Sequence, residues 1–478
     1  MPKMPHKRLV IACLLCCLTA WPTTRSVAET VTRPNILFVI ADDCTYRDIG
    51  CYGGQAHTPH IDRLATQGMR FTQSFQAAPM CSPTRHCIYT GLYPVKSGAY
   101  PQRTFARPGT RSIVHHLKPM GYRVALNGKS HVAPKSVFPF EYARAGKRGK
   151  QIDWPAVEDL LTDSAQNDSP FCLFVCSTEP HQPWNKGDAS RYGPAKLELP
   201  PYFVDTPVTR EHFARYLAEV TYFDDQVGRC LKLLEQHNLA ESTLVIVTSE
   251  QGSSFPFGKW TCYDTGLQNG LVARWPGKVA AGATSQALIE YVDLVPTFIA
   301  AAGGAVPDGL DGKSYLPVLL GETNEHKQYA FGLQTTRGIT NGSDYYGIRM
   351  VRSRNFKYIR NLTPEVAFKN NAVFAPIFES WKSQAQHDPH AAERVHRYQH
   401  RPAEELYDVQ NDPYEWHNLA DDPQLSDVRQ EMRSRLDDWM AQQGDRGQQT
   451  ELEARKHQIS ALLRAVRRKA ASQQPDDE

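Results

Sequence analysis

The chain has 478 residues, enough for a large hydrophobic core and, by length alone, for two domains. Hydrophobic residues make up 41% of the sequence and charged residues 22%, the proportions of an ordinary globular protein. The formal net charge is +3, from 54 basic and 51 acidic side chains, and no basic stripe is interleaved with aromatic residues, which argues against a nucleic-acid-binding protein.

The first residues have the features of an export signal. Basic side chains precede an apolar run at 9–18, and small residues at 26 and 28 offer a cleavage site. We predict a signal peptide over 1–28 and export of the mature chain to the periplasm or the medium. An uncleaved anchor is the alternative. The run is too short to cross a bilayer and no later segment is long enough, so we expect no stable membrane insertion.

Short apolar runs rich in Val, Ile, Leu and Phe predict buried parallel strands. They lie at 35–40, 122–126, 171–176 and 244–247. Helical patterns fall between them, one beginning at Thr58-Pro59 and a longer one covering about 210–237. Strands that alternate with helices indicate an α/β fold with a mainly parallel sheet, which we assign to an N-terminal domain over 29–335.

The pattern changes near residue 330. Alternating apolar and polar residues at 346–351 and 356–360 predict an antiparallel hairpin, and 405–408 predicts a further strand. A helix is expected from about 424 to 443. We interpret 336–445 as a smaller C-terminal α+β domain with an antiparallel sheet, and 446–478 as a polar, charged tail that forms a solvated, fraying helix.

One short motif carries chemistry by itself. Cys81-Ser82-Pro83-Thr84-Arg85 places a cysteine ahead of a proline that can start a helix. At a helix N-terminus the unpaired N–H groups and the helix dipole favour an anion or an anionic nucleophile, and Arg85 adds a positive charge one turn later. A buried structural cysteine at an ordinary helix start is the alternative interpretation of these five residues alone.

Polar clusters follow each of the four predicted parallel strands. They are Asp42-Asp43, Gly128 to His131, Glu179 to Trp184, and Ser249 to Gly252 with Lys259 in the loop beyond. Singly, each has an ordinary explanation as a solvated loop. Ligands of an open α/β sheet bind at the carboxyl ends of its strands, so the clusters together predict one site. Its oxygen donors suit Ca²⁺ or Mg²⁺, and its lysines and histidines suit a small tetrahedral oxyanion.

In the order of these motifs the chain resembles the type I sulfatases of the alkaline-phosphatase-like superfamily. The segments that carry the resemblance are 33–37 leading to Asp42-Asp43, 58–62, Cys81 to Arg85 with Thr90-Gly91, Gly128 to His131, Pro180-His181 and 405–408. The resemblance covers nearly all of the mature chain. It implies a sandwich in which a large, mainly parallel sheet lies between helices, followed by the smaller C-terminal domain.

The resemblance implies that a maturation enzyme oxidises Cys81 to formylglycine, whose hydrate attacks sulfur. Asp42, Asp43, Glu250 and Gln251, together with the converted Cys81, would bind one Ca²⁺ ion. The chain departs from the family here, because the family usually has Asp followed by Asn or His where this sequence has Glu250-Gln251. The oxygen donors persist, but each side chain is one methylene longer, which puts the coordination geometry in question.

The same resemblance implies roles for the cationic residues and histidines. Arg85 would orient the hydrate, and Lys129 and Lys259 would hold sulfate oxygens. His131 would help to handle the proton of the hydrate, and His181 would lie near the leaving group as general acid.

Within the family, several segments are similar to the sulfatases that act on N-sulfoglucosamine. They are 128–134 with 137–140, 201–207, 255–258 and 412–420. We therefore predict an exo-acting sulfatase of sulfated glycans, with N-sulfated glucosamine as the first candidate substrate. An O-sulfatase acting on another sulfated polysaccharide is the alternative. Trp184, Arg337 and Asn361, which lie on polar loops, are weak candidates for contacts to the sugar.

Two other classes of protein remain as alternatives. A phosphomonoesterase or phosphodiesterase of the same superfold would use Ser or Thr as nucleophile, usually with zinc, and Cys81 weighs against it. A non-catalytic glycan-binding relative would have lost the lysines, histidines or carboxylates, and here they are all present.

Overall fold

The computed structural model describes residues 1–2, 33–146, 149–461 and 463. The predicted signal peptide at 1–28 lies outside the described residues except for its first two, and so does the end of the predicted tail. None of the helices in the described ranges combines the length and apolar character needed to cross a membrane.

The secondary structure of the described chain alternates between strands and helices. The strands are β1 (Asn35–Ala41), β2 (Met69–Phe75), β3 (Arg123–Gly128), β4 (Glu141–Ala143), β5 (Phe171–Cys176), β6 (Thr243–Ser249), β7 (Gln268–Arg274), β8 (Ala283–Ser285), β9 (Ile289–Glu290), β10 (Ala330–Thr335), β11 (Gly347–Arg352), β12 (Phe356–Asn361) and β13 (Glu404–Asp408). The helices are α1 (Pro59–Gln67), α2 (Cys81–Thr90), α3 (Pro94–Ser97), α4 (Ile113–Leu117), α5 (Trp154–Asn167), α6 (Pro207–Gln236), α7 (Asp264–Leu267), α8 (Leu294–Ala301), α9 (Leu316–Leu319), α10 (Pro376–Gln384), α11 (Pro389–Gln399), α12 (Ser426–Gln443) and α13 (Gln448–Glu453).

A nine-stranded sheet forms the larger layer, in the order β4-β3-β5-β1-β6-β7-β2-β8, with β9 paired to β2. Its centre is parallel: β1 pairs with β5 on one side and with β6 on the other. All seven residues of β1 and all six of β5 are buried, because helices cover both faces of the sheet. The prediction of an α/β fold with a mainly parallel sheet is confirmed.

The sheet also contains an antiparallel part that the sequence did not indicate. β7 runs antiparallel to both β6 and β2. The sequences of β2 and β7, MRFTQSF and QNGLVAR, contain polar residues and a glycine, so neither has the clean pattern of a strand. Their pairing is also irregular, with a register shift between Phe71 and Ser74. Tertiary packing makes them strands.

A second sheet has four antiparallel strands in the order β10-β11-β12-β13. The predicted hairpin is its central pair, β11 and β12, with Met350 opposite Ile359. Its first strand, β10, precedes the predicted boundary at 335/336, and that boundary remains a prediction. The larger sheet and this antiparallel sheet together match the architecture that the resemblance implied.

The start of the predicted tail is not solvated. Helix α13 buries Glu451, whose carboxylate lies 2.8 Å from the guanidinium of Arg349 on β11. Asp445 also pairs with Arg349, and all three side chains are fully buried. The expectation of a solvated helix is therefore wrong for this segment, because its acidic residues neutralise a buried arginine of the second sheet.

Candidate active site

Three strands of the large sheet end at the same place. The N–H of Glu250, directly after β6, donates to the carbonyl of Ala41 at the end of β1, 3.0 Å away. The N–H of Asp42 donates in turn to the carbonyl of Glu179 beyond β5, at 2.9 Å. Neighbouring parallel strands end at one edge, so the loops that follow them converge there.

Helix α2 brings Cys81 to this edge. Cys81 is the first residue of the helix, Pro83 stands in the first turn where its missing N–H costs nothing, and Gly91 ends the helix at a φ of 67°. All ten residues of α2 are buried, Cys81 among them with 2% exposure. The cysteine is therefore held rigidly inside the protein rather than displayed on its surface.

The surroundings of Cys81 keep its thiol protonated. Its Sγ lies 3.2 Å from the Nζ of Lys259 and 3.3 Å from the Nε2 of Gln251. Burial, reinforced by the nearby Glu250 carboxylate, nevertheless raises the pKa of the Cys81 thiol to about 12. The helix N-terminus does not produce a thiolate here, so the sulfur itself is a poor nucleophile at neutral pH.

Four potential metal ligands surround one point. The carboxylates of Asp42, Asp43 and Glu250 and the Sγ of Cys81 each offer an atom within 4.8 Å of the others, and all four residues are buried. The Oε1 of Gln251 is also buried and accepts no hydrogen bond from the described residues. Three buried carboxylates with a side-chain amide among them fit a hard, oxygen-binding cation, once the amide is turned to present its oxygen.

Three cationic side chains balance the three carboxylates. The buried pairs are Arg85–Glu250, Lys129–Asp42 and Lys259–Asp43. Lys129 also lies 3.1 Å from Glu250, and the Lys259 ammonium lies 2.7 Å from Asp43. Because each cation faces a carboxylate, a divalent cation and a negatively charged ester can enter the site together without a large excess of either sign.

The three carboxylates have different pKa values because their charged neighbours differ. Burial raises the pKa of Asp42 well above its usual range, and the neighbouring Glu250 adds to that rise. For Glu250 burial acts in the same direction, but Arg85 and Lys129 outweigh it and hold its pKa well below the usual range. Asp43 also has a lowered pKa, because Lys259, His181 and Lys129 together outweigh the effect of burial. Glu250 and Asp43 are therefore ionised at neutral pH.

Arg85 forms hydrogen bonds with two parts of the site. Its Nε donates to Glu250, and its Nη1 donates to the carbonyl of Lys129 at 2.7 Å. The side chain is fully buried, and its Nη2 has no partner among the described residues. The contacts place Arg85 where it fixes the Glu250 carboxylate and the backbone of Lys129.

The two predicted histidines lie on different sides of the site. His131 has a φ of 52°, and its carbonyl accepts a hydrogen bond from the Ser82 hydroxyl at 3.0 Å, which ties its loop to α2. The Nε2 of His181 lies 3.7 Å from Asp43. Its Nδ1 lies 2.6 Å from the carbonyl of Gln182, so Nδ1 carries the proton and Nε2 has the lone pair. Burial lowers the pKa of His181 to about 4, which makes it neutral at pH 7.

A cavity of about 660 Å³ opens from Cys81 to the surface. Asp42, Lys129, His131, His181 and Lys259 line its floor and walls. Further lining residues that the sequence did not indicate include Gln102, Arg103, Lys150, Gln151, Asn185 and Asn371. They lie on loops with no recognisable motif, and only the fold brings them together.

The three weak candidates for sugar contacts do not line this cavity. Trp184 is buried and stacks on Phe255 with ring centroids 4.7 Å apart. Asn361 is buried and donates to Glu405 at 2.7 Å. Arg337 stacks on the ring of Tyr345, although the residue after it reaches the cavity wall. Their positions on polar loops were misleading, because two of them are core residues.

This arrangement is that of a hydrolase acting on a small tetrahedral oxyanion ester, because the polar residues converge at the carboxyl edge of a mixed α/β sheet around a buried cysteine. The chain belongs to the sulfatase family, which matches residues 34–305. Residues 252–368 also match the family described as "N-sulphoglucosamine sulphohydrolase, C-terminal". The protein is thus an enzyme that hydrolyses sulfate esters, as its resemblance to the family implied.

Two relatives and one solved structure show how far the similarity extends. An "Ulvan-active sulfatase" of Formosa agariphila is 35% identical over 86% of this chain and 81% of its own length. The human N-sulphoglucosamine sulphohydrolase is 29% identical over 85% of this chain and 90% of its own. The phosphonate monoester hydrolase of Agrobacterium radiobacter has the same fold, with a TM-score of 0.67 at 19% identity over 86% of this chain and 96% of its own.

Proposed function

We propose that this chain removes sulfate groups from sulfated glycans, with formylglycine made from Cys81 and one bound Ca²⁺. The observation that carries the proposal is the position of Cys81, buried at the start of α2 within 3.3 Å of both Lys259 and Gln251. The proposal includes export of the mature chain, a maturation enzyme as partner, a catalytic domain over 29–335 and the α+β subdomain over 336–445.

Asp42, Asp43, Glu250 and the Oε1 of Gln251 would hold the cation together with the converted residue 81. Oxygen donors alone favour Ca²⁺ or Mg²⁺ over zinc. The larger ion tolerates irregular geometry, which suits the long Glu250 and Gln251 side chains. When bound, the ion would polarise the sulfate oxygens, and the hydrated formylglycine would supply the oxygen nucleophile.

The lysines would hold the sulfate group. Burial alone lowers the pKa of Lys129, but the nearby acidic groups, Asp42 first among them, together outweigh it and the pKa is raised. The same balance with Asp43 raises the pKa of Lys259. Both ammonium groups therefore stay charged at any working pH, and because they are buried they act in a low-dielectric site where each attraction to an anion is strong.

His181 is the residue best placed to move a proton at the leaving group. Its side chain is 42% exposed at the cavity, while its Nδ1 is fixed by the Gln182 carbonyl. Nε2 faces Asp43, and it must take up a proton before it can donate one to a departing sugar oxygen or nitrogen. A sulfate ester in the cavity would favour that uptake, because it brings negative charge close to the ring.

Two substrate chemistries are supported by separate observations. The match of 252–368 to the N-sulphoglucosamine sulphohydrolase C-terminal family favours the N-sulfate of glucosamine as the first candidate. The 35% identity to an ulvan-active sulfatase favours an O-sulfate on another polysaccharide. Because the phosphonate monoester hydrolase shares the fold, fold alone does not choose between sulfate and phosphorus esters.

The test is release of inorganic sulfate from N-sulfoglucosamine, glucosamine 6-O-sulfate and ulvan oligosaccharides, beside phosphate release from 4-nitrophenyl phosphate. The protein is produced with and without a formylglycine-generating enzyme, and the peptide across Cys81 is analysed by mass spectrometry. Cys81→Ala should abolish sulfate release and retain the fold. Turnover of the O-sulfates alone would overturn the N-sulfate assignment. An unconverted thiol in an active preparation would overturn the formylglycine mechanism.

A further inference from the structure

Two cations of the cavity have no role in the sulfate site just described. Arg103 and Lys150 both line the cavity that contains Cys81, and both side chains are exposed. Within the described ranges the cavity cations that form ion pairs are Lys129 and Lys259, and neither Arg103 nor Lys150 takes part in one. The carboxylate of Glu179 also lines the cavity and accepts a hydrogen bond from Thr178 at 2.6 Å. Arg103 and Lys150 together exceed this single negative charge, so this part of the lining has an excess of positive charge.

The backbone at Arg103 is held in place from two sides. The side chain of the preceding residue, Gln102, is buried and accepts a hydrogen bond from the N–H of Ser82, which follows Cys81, at 3.3 Å. The carbonyl of Arg103 accepts from the N–H of Ile459 in the C-terminal segment at 2.9 Å. Arg103 is thus fixed relative to the start of α2.

This position is also strained. Arg103 has a φ of 59°, in the left-handed region that non-glycine residues seldom adopt. No side-chain contact of Arg103 within the described ranges stabilises this conformation, so the contacts of the surrounding backbone impose it. Strain of this kind concentrates at binding and catalytic positions.

We propose that Arg103 and Lys150 form a second anion subsite, which binds a carboxylate or a second sulfate on the same saccharide. The inference rests on the proposed function and makes it more specific. The preferred substrate is a saccharide end that carries another acidic group besides the sulfate to be removed. A guanidinium pairs with a carboxylate or a sulfate through two parallel N–H bonds, and an ammonium adds a point charge.

The experiment compares Arg103→Gln, Lys150→Gln and the double variant with the wild type. Substrates are 4-nitrophenyl sulfate and N-sulfoglucosamine without a second acid, glucosamine N,6-O-disulfate with a second sulfate, and N-sulfoglucosamine linked to a hexuronic acid. If only O-sulfates are turned over, glucosamine 6-O-sulfate replaces the N-sulfate in each pair. Arg111→Gln is the matched control, since Arg111 is also exposed but lines a different cavity.

Each single variant should raise KM about threefold to tenfold on substrates with a second acid and leave the other substrates unchanged. The disulfate and the uronate show which acid the subsite takes. Equal effects on all substrates, or none on the doubly acidic ones, would overturn the subsite while sulfate release still supports the proposed function. If no substrate is turned over, calorimetric binding of the same saccharides to the Cys81→Ala chain decides the subsite by itself.

Discussion

The Nε2 of Gln251 lies 3.3 Å from the Sγ of Cys81, while the Oε1 of the same amide is buried without a partner among the described residues. Nε2 also donates to Asp43 and to Glu250, at 3.1 Å from the latter, so the amide turns its nitrogen toward the candidate ligands. A half-turn about the last side-chain bond would present Oε1 to a bound cation instead.

Gln251→Leu should lower the affinity for Ca²⁺ about 10- to 100-fold, because it removes one oxygen ligand and the donor that orients Asp43. Calorimetric titration of chelator-treated protein with CaCl₂ measures this without any turnover. Gln251→Asn should keep most of the affinity. Gln73→Leu, remote from the site and partly exposed, serves as control. An unchanged affinity in Gln251→Leu would exclude the amide as a ligand.

His181→Gln should lower kcat on saccharide sulfates by about 10²–10⁴-fold, the usual contribution of a general acid. The loss on 4-nitrophenyl sulfate should be much smaller, since nitrophenolate leaves without being protonated. Steady-state rates on the two substrates give the comparison. His212→Gln, which removes an imidazole that packs 5.8 Å from Trp184, should affect neither. Equal losses on both substrates would mean that His181 binds sulfate rather than moving a proton.

Arg349→Met should destabilise the protein by about 3–5 kcal/mol, because it leaves the buried Asp445 and Glu451 carboxylates without their partner. Urea unfolding followed by circular dichroism measures the change. Arg435→Met is the matched control. Its partner Glu431 is 3.8 Å away and both side chains are about half exposed, so a change within about 0.5 kcal/mol is expected. Similar small changes in both variants would show that the contacts of the C-terminal segment with Arg349 contribute little to the free energy of unfolding.

Asp48 should make stability fall with rising pH. Burial raises the pKa of its carboxyl from 3.8 to about 7, although the Tyr216 hydroxyl donates to it at 2.9 Å. Between these two values the folded chain binds the proton more tightly than the unfolded chain, so stability declines through that window and is constant above it.

Asp48→Asn cannot ionise, so its stability relative to wild type should increase between pH 4 and pH 7 by on the order of 3 kcal/mol. Urea unfolding at a series of pH values gives the slope for both chains. The control is Asp159→Asn, which removes an exposed carboxyl on the surface of α5. Parallel curves for Asp48→Asn and wild type would contradict the raised pKa.

The central strands could be predicted because burial on both faces demands continuous apolar residues. The run at 171–176 coincides with β5, and the runs at 35–40 and 244–247 lie within β1 and β6. β2 and β7 were missed because β7 is held between β6 and β2, and the pairing of β2 with β7 joins residues about 200 positions apart. Their own sequences contain no periodic signal.

The residues of the site also divide into those that the sequence predicted and those that only the fold brings together. Ligands bind at the carboxyl ends of strands, and this rule is sufficient to group Asp42, Lys129 and Glu250 from their places in the sequence. It could not find Arg103, which reaches the cavity only because Gln102 and Ile459 fix its loop. It also could not exclude Trp184, whose polar neighbours conceal a stacked core position.

The class of protein can be read from the amino-acid sequence, because the Cys81-to-Arg85 motif and the residues after four strands are local patterns that a sulfatase requires. Three other properties depend on the folded chain: the charge balance of the site, the protonated state of the Cys81 thiol and the burial of Glu451 against Arg349. They follow from how far each group lies from water and from other charges. Such distances are set by contacts between residues far apart in the chain.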